Sequence, residues 1–230
     1  MIKNIDEINR TAWLEKILTS MPKGLKILDA GAGELRNKKF CTHLEYVPQD
    51  FCQYEGATEK SPKEGFQNKS WNTDSIDIVS DIVNIPAPDS EFDVVLCSEV
   101  LEHVPDPVKA LDEFSRLLKP GGYLILTAPF ASLVHMAPFH FCTGFSKYWY
   151  QYHLTLRGIK INTLVENGDW FDFSRQELIR LGGIERKLGN WSWPLAYALG
   201  LFGLLYFRVR SKKTIDGLAC FGIHVVGVKE

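Results

Sequence analysis

The segment from residue 92 to residue 128 constrains the fold most. Phe92-Asp-Val-Val-Leu-Cys97 is apolar at all but one position, the pattern of a strand buried on both faces. Asp106 is a good helix N-cap and Pro107 suits the first helical position. Val108, Leu111, Phe114, Leu117 and Leu118 then fall on one helical face, and Lys119-Pro-Gly-Gly122 stops the helix. Tyr123–Ala128 is again an apolar strand. Strand, helix and strand in this order predict a parallel pair, and the pattern extends in both directions. Short apolar strands are expected at Lys26–Leu28, Leu44–Val47 and Ile76–Val79, and two more at Ile159–Val165 and Ala219–Val228. Apolar positions over Ile5–Ser20 suit an amphipathic helix that Pro22 and Gly24 end. The expected fold is α/β, a doubly wound, mostly parallel sheet of seven strands. Residues 53–74 read as mostly loop, and the stretch between Phe130 and Gly158 is aromatic and poorly periodic.

With 230 residues the chain is expected to form one domain over 1–230. The expected parts are a ligand-binding core at 8–130, an insertion at 130–158, and an apolar plus basic segment at 190–213. A 45% hydrophobic share excludes a disordered or collagen-like chain. The net charge is −2, from 26 Lys+Arg against 28 Asp+Glu, so nucleic acid is not an expected partner. Five scattered cysteines at 41, 52, 97, 142 and 220 form no CxxC, which suggests reduced thiols and a cytoplasmic location. Charges interrupt the first residues, so no secretory signal is read there, and no apolar run reaches the 18–20 residues of a membrane span.

In an open α/β sheet, ligands bind beyond the carboxyl ends of the strands. Asp29, Asp50, Asp81 and Ser98-Glu99 fall at such ends on four successive strands. Each acid could instead cap the following turn or helix. Gly31 and Gly33 allow a tight turn and close approach of backbone to a ligand. The loop has no Gly-Lys-Ser/Thr, so it is not a P-loop, and the third glycine position of a dinucleotide fingerprint is Arg36. An acid at the start of the loop suits a cationic ligand group better than a pyrophosphate.

Ile27-Leu-Asp-Ala-Gly-Ala-Gly33, Phe92–Pro107 and Leu117–Leu126, in this order and spacing, resemble the class I S-adenosylmethionine-dependent methyltransferases, and most closely the type 11 small-molecule group. The resemblance covers residues 8–130 and implies a Rossmann-like methyltransferase fold with S-adenosylmethionine as cofactor. It implies that Asp29, Ala30, Gly31 and Gly33 wrap the methionine part and that Asp50 accepts the ribose hydroxyls. It assigns Asp81 and Ile82 to the adenine, and places Ser98 and Glu99 beside the sulfonium and the acceptor. Family members often have a third glycine where this chain has Leu35, so the resemblance implies a different path of the loop here, with Leu35 covering the cofactor.

Glu99 and His103 share a helical face after the fourth strand and are the candidate catalytic pair, with an imidazole expected to titrate near neutrality; local packing is the alternative. His135, His140, Tyr148 and Trp149 in the aromatic insertion are candidate acceptor-side residues, or parts of a folded lid. His103, His135 and His140 lack local metal-ligand spacing, so no metal is expected. Trp191-Ser-Trp-Pro194 and the apolar run to Phe207, followed by Arg208, Arg210, Lys212 and Lys213, suit a helix that covers the sheet or forms a homodimer. A peripheral contact with the inner face of a membrane is the alternative. The leading expectation is methyl transfer to a small-molecule or lipid- or sugar-linked acceptor. The alternatives are an NAD(P)-dependent oxidoreductase and a catalytically silent cofactor-binding protein.

Overall fold

The computed structural model describes residues 4–56, 65–66, 70–209 and 217–230. The elements run α1 (Ile5–Thr19), β1 (Lys26–Ala30), β2 (Glu45–Asp50), β3 (Ile78–Val79), β4 (Phe92–Ser98), α2 (Pro107–Leu117), β5 (Leu118–Pro129), α3 (Lys147–Thr155), β6 (Ile159–Asn167), α4 (Trp170–Lys187), α5 (Trp193–Val209) and β7 (Gly222–Lys229). Short 3₁₀ turns stand at Lys38–Phe40 and Leu101–His103. Seven strands form one sheet in the order β3-β2-β1-β4-β5-β7-β6. The first five are parallel, and β7 inserts antiparallel between β5 and β6.

The all-apolar strands divide their side chains between two cores, as a period of two requires. Val95 and Cys97 of β4 and Leu124 and Leu126 of β5 pack with Ala110, Leu111, Phe114 and Leu117 of α2 and with Tyr150 and Leu154 of α3. Val94, Leu96, Ile27 and Ile125 meet Leu14 and Leu18 of α1 on the other face. The α2 N-cap forms as expected, with the Asp106 carboxylate accepting from Lys109 N at 3.1 Å.

Two helices escape the periodicity reading. α3 hides in the aromatic insertion, capped by Ser146. α4 carries Gly182-Gly183, a pair that ordinarily ends a helix. Here Gly182 lets Tyr197 of α5 lie against the backbone: a Cβ at 182 would stand 2.7 Å from the ring. The apolar run 194–207 does become a helix, but it does not cover the sheet. α5 packs on α4, with Ala196 and Gly200 buried and Gly203 close to Leu178, and leaves Leu195, Leu199, Leu201, Phe202, Leu205 and Tyr206 exposed. No helix of the described residues is long and apolar enough to cross a membrane. The basic positions Arg210, Lys212 and Lys213 lie outside the described residues.

Candidate functional site

A cavity of about 830 Å³ opens at the carboxyl ends of the parallel strands. Gly31, Gly33, Asp50, Asp81, Ile82, Ser98, Glu99, His103 and His135 line it, so the structure gathers these sequence-selected residues into one place. Gly31 (φ +78°) turns the chain at the end of β1, and the Gly31 and Ala32 N–H groups both donate to Gln49 O at 2.9 Å. The backbone needs glycine here on two grounds. The left-handed φ disfavours a side chain, and a Cβ would lie 2.5 Å from Val100 Cγ2. Leu35 holds φ +58°, so the loop takes a glycine-like conformation at the third family position without a glycine. Leu35 does not line the cavity.

The acids occupy unlike environments. Asp29 is 1% exposed and is not part of the cavity wall. It sits beneath the loop, where Tyr46 OH donates to Oδ2, Asn37 Nδ2 is 3.5 Å away, and Oδ1 has no hydrogen-bond partner among the described residues. Burial pushes its pKa up to about 6 against these donors. Ala30, next to it in β1, is fully buried and also does not reach the cavity. Asp50 lines the cavity, but its Oδ2 accepts from Gly33 N and its Oδ1 from Cys52 N, both at 2.9 Å. This carboxylate therefore staples the glycine loop to the end of β2. Asp81 is exposed to the cavity; Oδ1 accepts from Val83 N at 3.1 Å, and Oδ2 takes no hydrogen bond among the described residues.

At the end of β4, Glu99 holds φ +57°, a conformation that non-glycine residues rarely adopt. Its amide donates to Thr127 O at 2.8 Å, and its carboxylate meets Arg10 at 3.1 Å. Burial raises the Glu99 pKa, and the Arg10 guanidinium opposes the rise. Arg10 also pairs with Asp6, which accepts from Asn167 Nδ2 at 2.8 Å. The first helix is thereby tied to the ends of β4 and β6. Sequence reasoning missed Asp6 and Arg10 because an i,i+4 ion pair on an amphipathic helix ordinarily marks the solvent face. It also missed Phe173, Gln176, Glu177 and Arg180 of α4, which line the cavity. Asp169, whose side chain caps α4 through Phe171 N and Asp172 N, is the signal that could have found that helix.

The insertion supplies the remaining wall. The Phe141 and Cys142 amides donate to Glu102 O at 2.9 and 3.1 Å, and Phe66 forms a parallel bridge with His135. Phe139 meets Phe51 edge-on at 5.1 Å. These contacts bring His135 and His140 to His103, with ring centroids 4.6 Å (103–135), 4.9 Å (135–140) and 5.9 Å (103–140) apart. Local spacing could not show this, because the insertion returns through tertiary contacts. His103 does not titrate near neutrality: burial lowers its pKa to about 4, so the ring is neutral at pH 7. Glu102 is also buried, and burial together with the Glu99 charge pushes its pKa well above the usual carboxylate range. His140 does not line the cavity, and neither do Tyr148 and Trp149. The latter two lie on α3, Tyr148 68% exposed and Trp149 packed against Phe145, Tyr150 and His153. No residue of α3 lines the cavity.

Residues 28–126 match the family model described as a methyltransferase domain. Over 137 residues the chain is 31% identical to the demethylmenaquinone methyltransferase of Staphylococcus carnosus, which covers 53% of this chain and 54% of that one. Over 120 residues it is 28% identical to the ubiquinone biosynthesis O-methyltransferase of Leptothrix cholodnii, with 51% and 49% covered. The chain thus spans about half the length of the curated relatives it matches. In fold it is similar to phosphoethanolamine N-methyltransferase 2 of Haemonchus contortus, solved with S-adenosyl-L-methionine. The TM-score is 0.54 at 15% identity, covering 96% of this chain and 52% of that one. Residues 28–126, the segment similar to the methyltransferase-domain model, carry the glycine turn at the end of β1 and most of the parallel part of the sheet.

Proposed function

We propose that the chain transfers a methyl group from S-adenosylmethionine to an apolar or aromatic small-molecule acceptor. The observation that carries this reading is the convergence of Gly31, Gly33, Asp81, Ser98 and Glu99 on one cavity inside the segment that matches the methyltransferase family. The residues fit the cofactor. The Gly31 turn brings backbone to the cavity where a Cβ has no room, and one carboxylate oxygen of Asp81, which takes no hydrogen bond among the described residues, can accept an adenine amino group. When bound, S-adenosylmethionine supplies an activated methyl on a good leaving group. The chain's task is then to align an acceptor atom with that methyl and to exclude water. Glu99 and His103 flank the acceptor side. Phe139, Phe141, Met136 and Phe173 supply its apolar wall. A neutral His103 is a weak proton acceptor, so it orients an acceptor better than it deprotonates one.

The quinone-modifying relatives favour a lipophilic acceptor. The structure adds a physical reason of the same kind. α4 lines the cavity, and α5, packed on its back, exposes Leu195, Leu199, Phe202 and Tyr206, with Phe202 72% exposed. Trp191, 89% exposed, precedes it, and basic residues follow in the sequence. This is the make-up of an interfacial segment. We infer that α5 rests on a membrane surface from which the acceptor enters.

Calorimetry with S-adenosylmethionine, S-adenosylhomocysteine and NAD tests the cofactor. Asp81→Ala should weaken S-adenosylmethionine binding ten-fold or more, about 1.4 kcal/mol, with an unchanged melting temperature. Tight NAD binding without a response to S-adenosylmethionine overturns the reading. Flotation with anionic vesicles tests the surface: Leu201→Ser with Phe202→Ser should abolish co-flotation. A protein that ignores vesicles, or a double variant that only dissociates a dimer, removes the membrane contact.

A further inference from the structure

We propose that His103, His135 and His140 form a binding site for one divalent transition-metal ion of the zinc class on the wall of the acceptor cavity. One nitrogen from each ring lies within 4.8 Å of the other two. The ring orientations are set by the backbone. His103 Nδ1 faces Phe139 O, and His135 Nδ1 faces Leu133 O at 2.9 Å. A ring nitrogen against a carbonyl must be the donor, so in both rings Nε2 carries the lone pair. Anchoring the far N–H on a backbone carbonyl is the arrangement that metal-ligating histidines use to fix their tautomer.

His140 supplies the second, independent observation. Both of its ring nitrogens are buried, and neither has a hydrogen-bond partner among the described residues. A buried polar atom left unpaired costs stability, and a metal bond would offset that cost. The neighbouring carboxyl of Glu102 has Oε2 without a partner among the described residues and Oε1 3.6 Å from His103 Nε2.

The chemistry of the set selects the ion. Three imidazoles without thiolate suit zinc, cobalt or nickel rather than magnesium or calcium, which prefer oxygen ligands. Nitrogens around a tetrahedral zinc with bonds of 2.0–2.1 Å stand about 3.3 Å apart, so closure from the present spacing needs ring movements of about 1 Å. Because His103 and His135 line the cavity, a fourth coordination position would face it, where an oxygen of the acceptor could bind. That role rests on the proposed function; the site itself does not.

The test is calorimetry of the chelator-treated full chain with Zn²⁺, together with the visible absorption of bound Co²⁺. One ion per chain with submicromolar affinity is expected, and Co²⁺ should give the intense bands of a tetrahedral site. His135→Ala and His140→Ala should each weaken binding at least ten-fold, with folding checked by circular dichroism. His135→Gln repeats the test where the alanine variant unfolds. His43→Ala, whose ring bonds Met21 O outside the cavity, should leave binding unchanged. No binding by the folded chain, or binding indifferent to positions 135 and 140, overturns the proposal. S-adenosylmethionine binding measured on the same samples separates the two readings. If it persists while zinc fails, only the metal site falls; if it fails while zinc binds, only the methyltransferase reading falls.

Discussion

Replacing Gly31 by alanine separates backbone conformation from steric contact at the cofactor loop. At φ +78° a residue with a Cβ costs about 1–2 kcal/mol relative to glycine. The added methyl would also stand 2.5 Å and 2.7 Å from the two γ-carbons of Val100 and 3.1 Å from its Cβ. Rotation of Val100 therefore cannot clear it, and overpacking of this kind costs about 1–3 kcal/mol. Gly31→Ala should thus destabilise by about 2–5 kcal/mol. Val100 is partly buried against the main core, and Val100→Ala alone should cost about 1 kcal/mol. In the double variant the two γ-carbon overlaps are gone, while the 3.1 Å contact with the Cβ of residue 100 and the φ penalty remain, so its cost should fall below the sum of the singles by about 1–3 kcal/mol. Urea unfolding of the four proteins measures this coupling, and calorimetry with S-adenosylmethionine follows the loop's function in parallel. Affinity should fall in both Gly31 variants and recover only in part in the double one. Additivity to within about 0.5 kcal/mol would refute the steric half of the reasoning.

Three further outcomes are expected. The Asp29 carboxyl has a folded pKa of about 6 against 3.8, so the folded state holds its proton more tightly than the unfolded chain. Stability should then fall as pH rises from about 4 to 6, by at most about 3 kcal/mol. In urea titrations across this range Asp29→Asn should lose that slope, and parallel curves for the two proteins would count against it. Asp50→Ala removes the acceptor of the Gly33 and Cys52 amides and should lower stability by about 1–3 kcal/mol, read from the melting temperature. If affinity for S-adenosylmethionine stays intact, Asp50 is a loop staple and not a ribose ligand. Gly182→Val would press on Tyr197 and should destabilise the α4–α5 pair by about 1–3 kcal/mol, with Tyr197→Ala restoring most of the loss.

The sequence by itself determined the sheet and the place of the cleft. Buried parallel strands must be apolar on both faces, helix caps are local, and the acids at the strand ends fall together because parallel strands share one carboxyl edge. β1, β2, β4, β5 and α2 were therefore legible, and with them Gly31, Gly33, Asp50, Asp81, Ser98 and Glu99 on one cavity. What each acid does was not legible. Asp29 and Asp50 are both strand-end aspartates. Only the tertiary structure puts Tyr46 over the first and two loop amides on the second. α4 was hidden because its Gly182-Gly183 answers a neighbour, Tyr197, that local pattern cannot reveal. The histidine cluster was hidden for a related reason. His135 and His140 are more than thirty positions from His103, and hydrogen bonds from Phe141 and Cys142 to the Glu102 carbonyl bring the insertion back. Spacing along the chain predicts neighbours only within an element; between elements, the hydrogen bonds and packing of the folded chain decide.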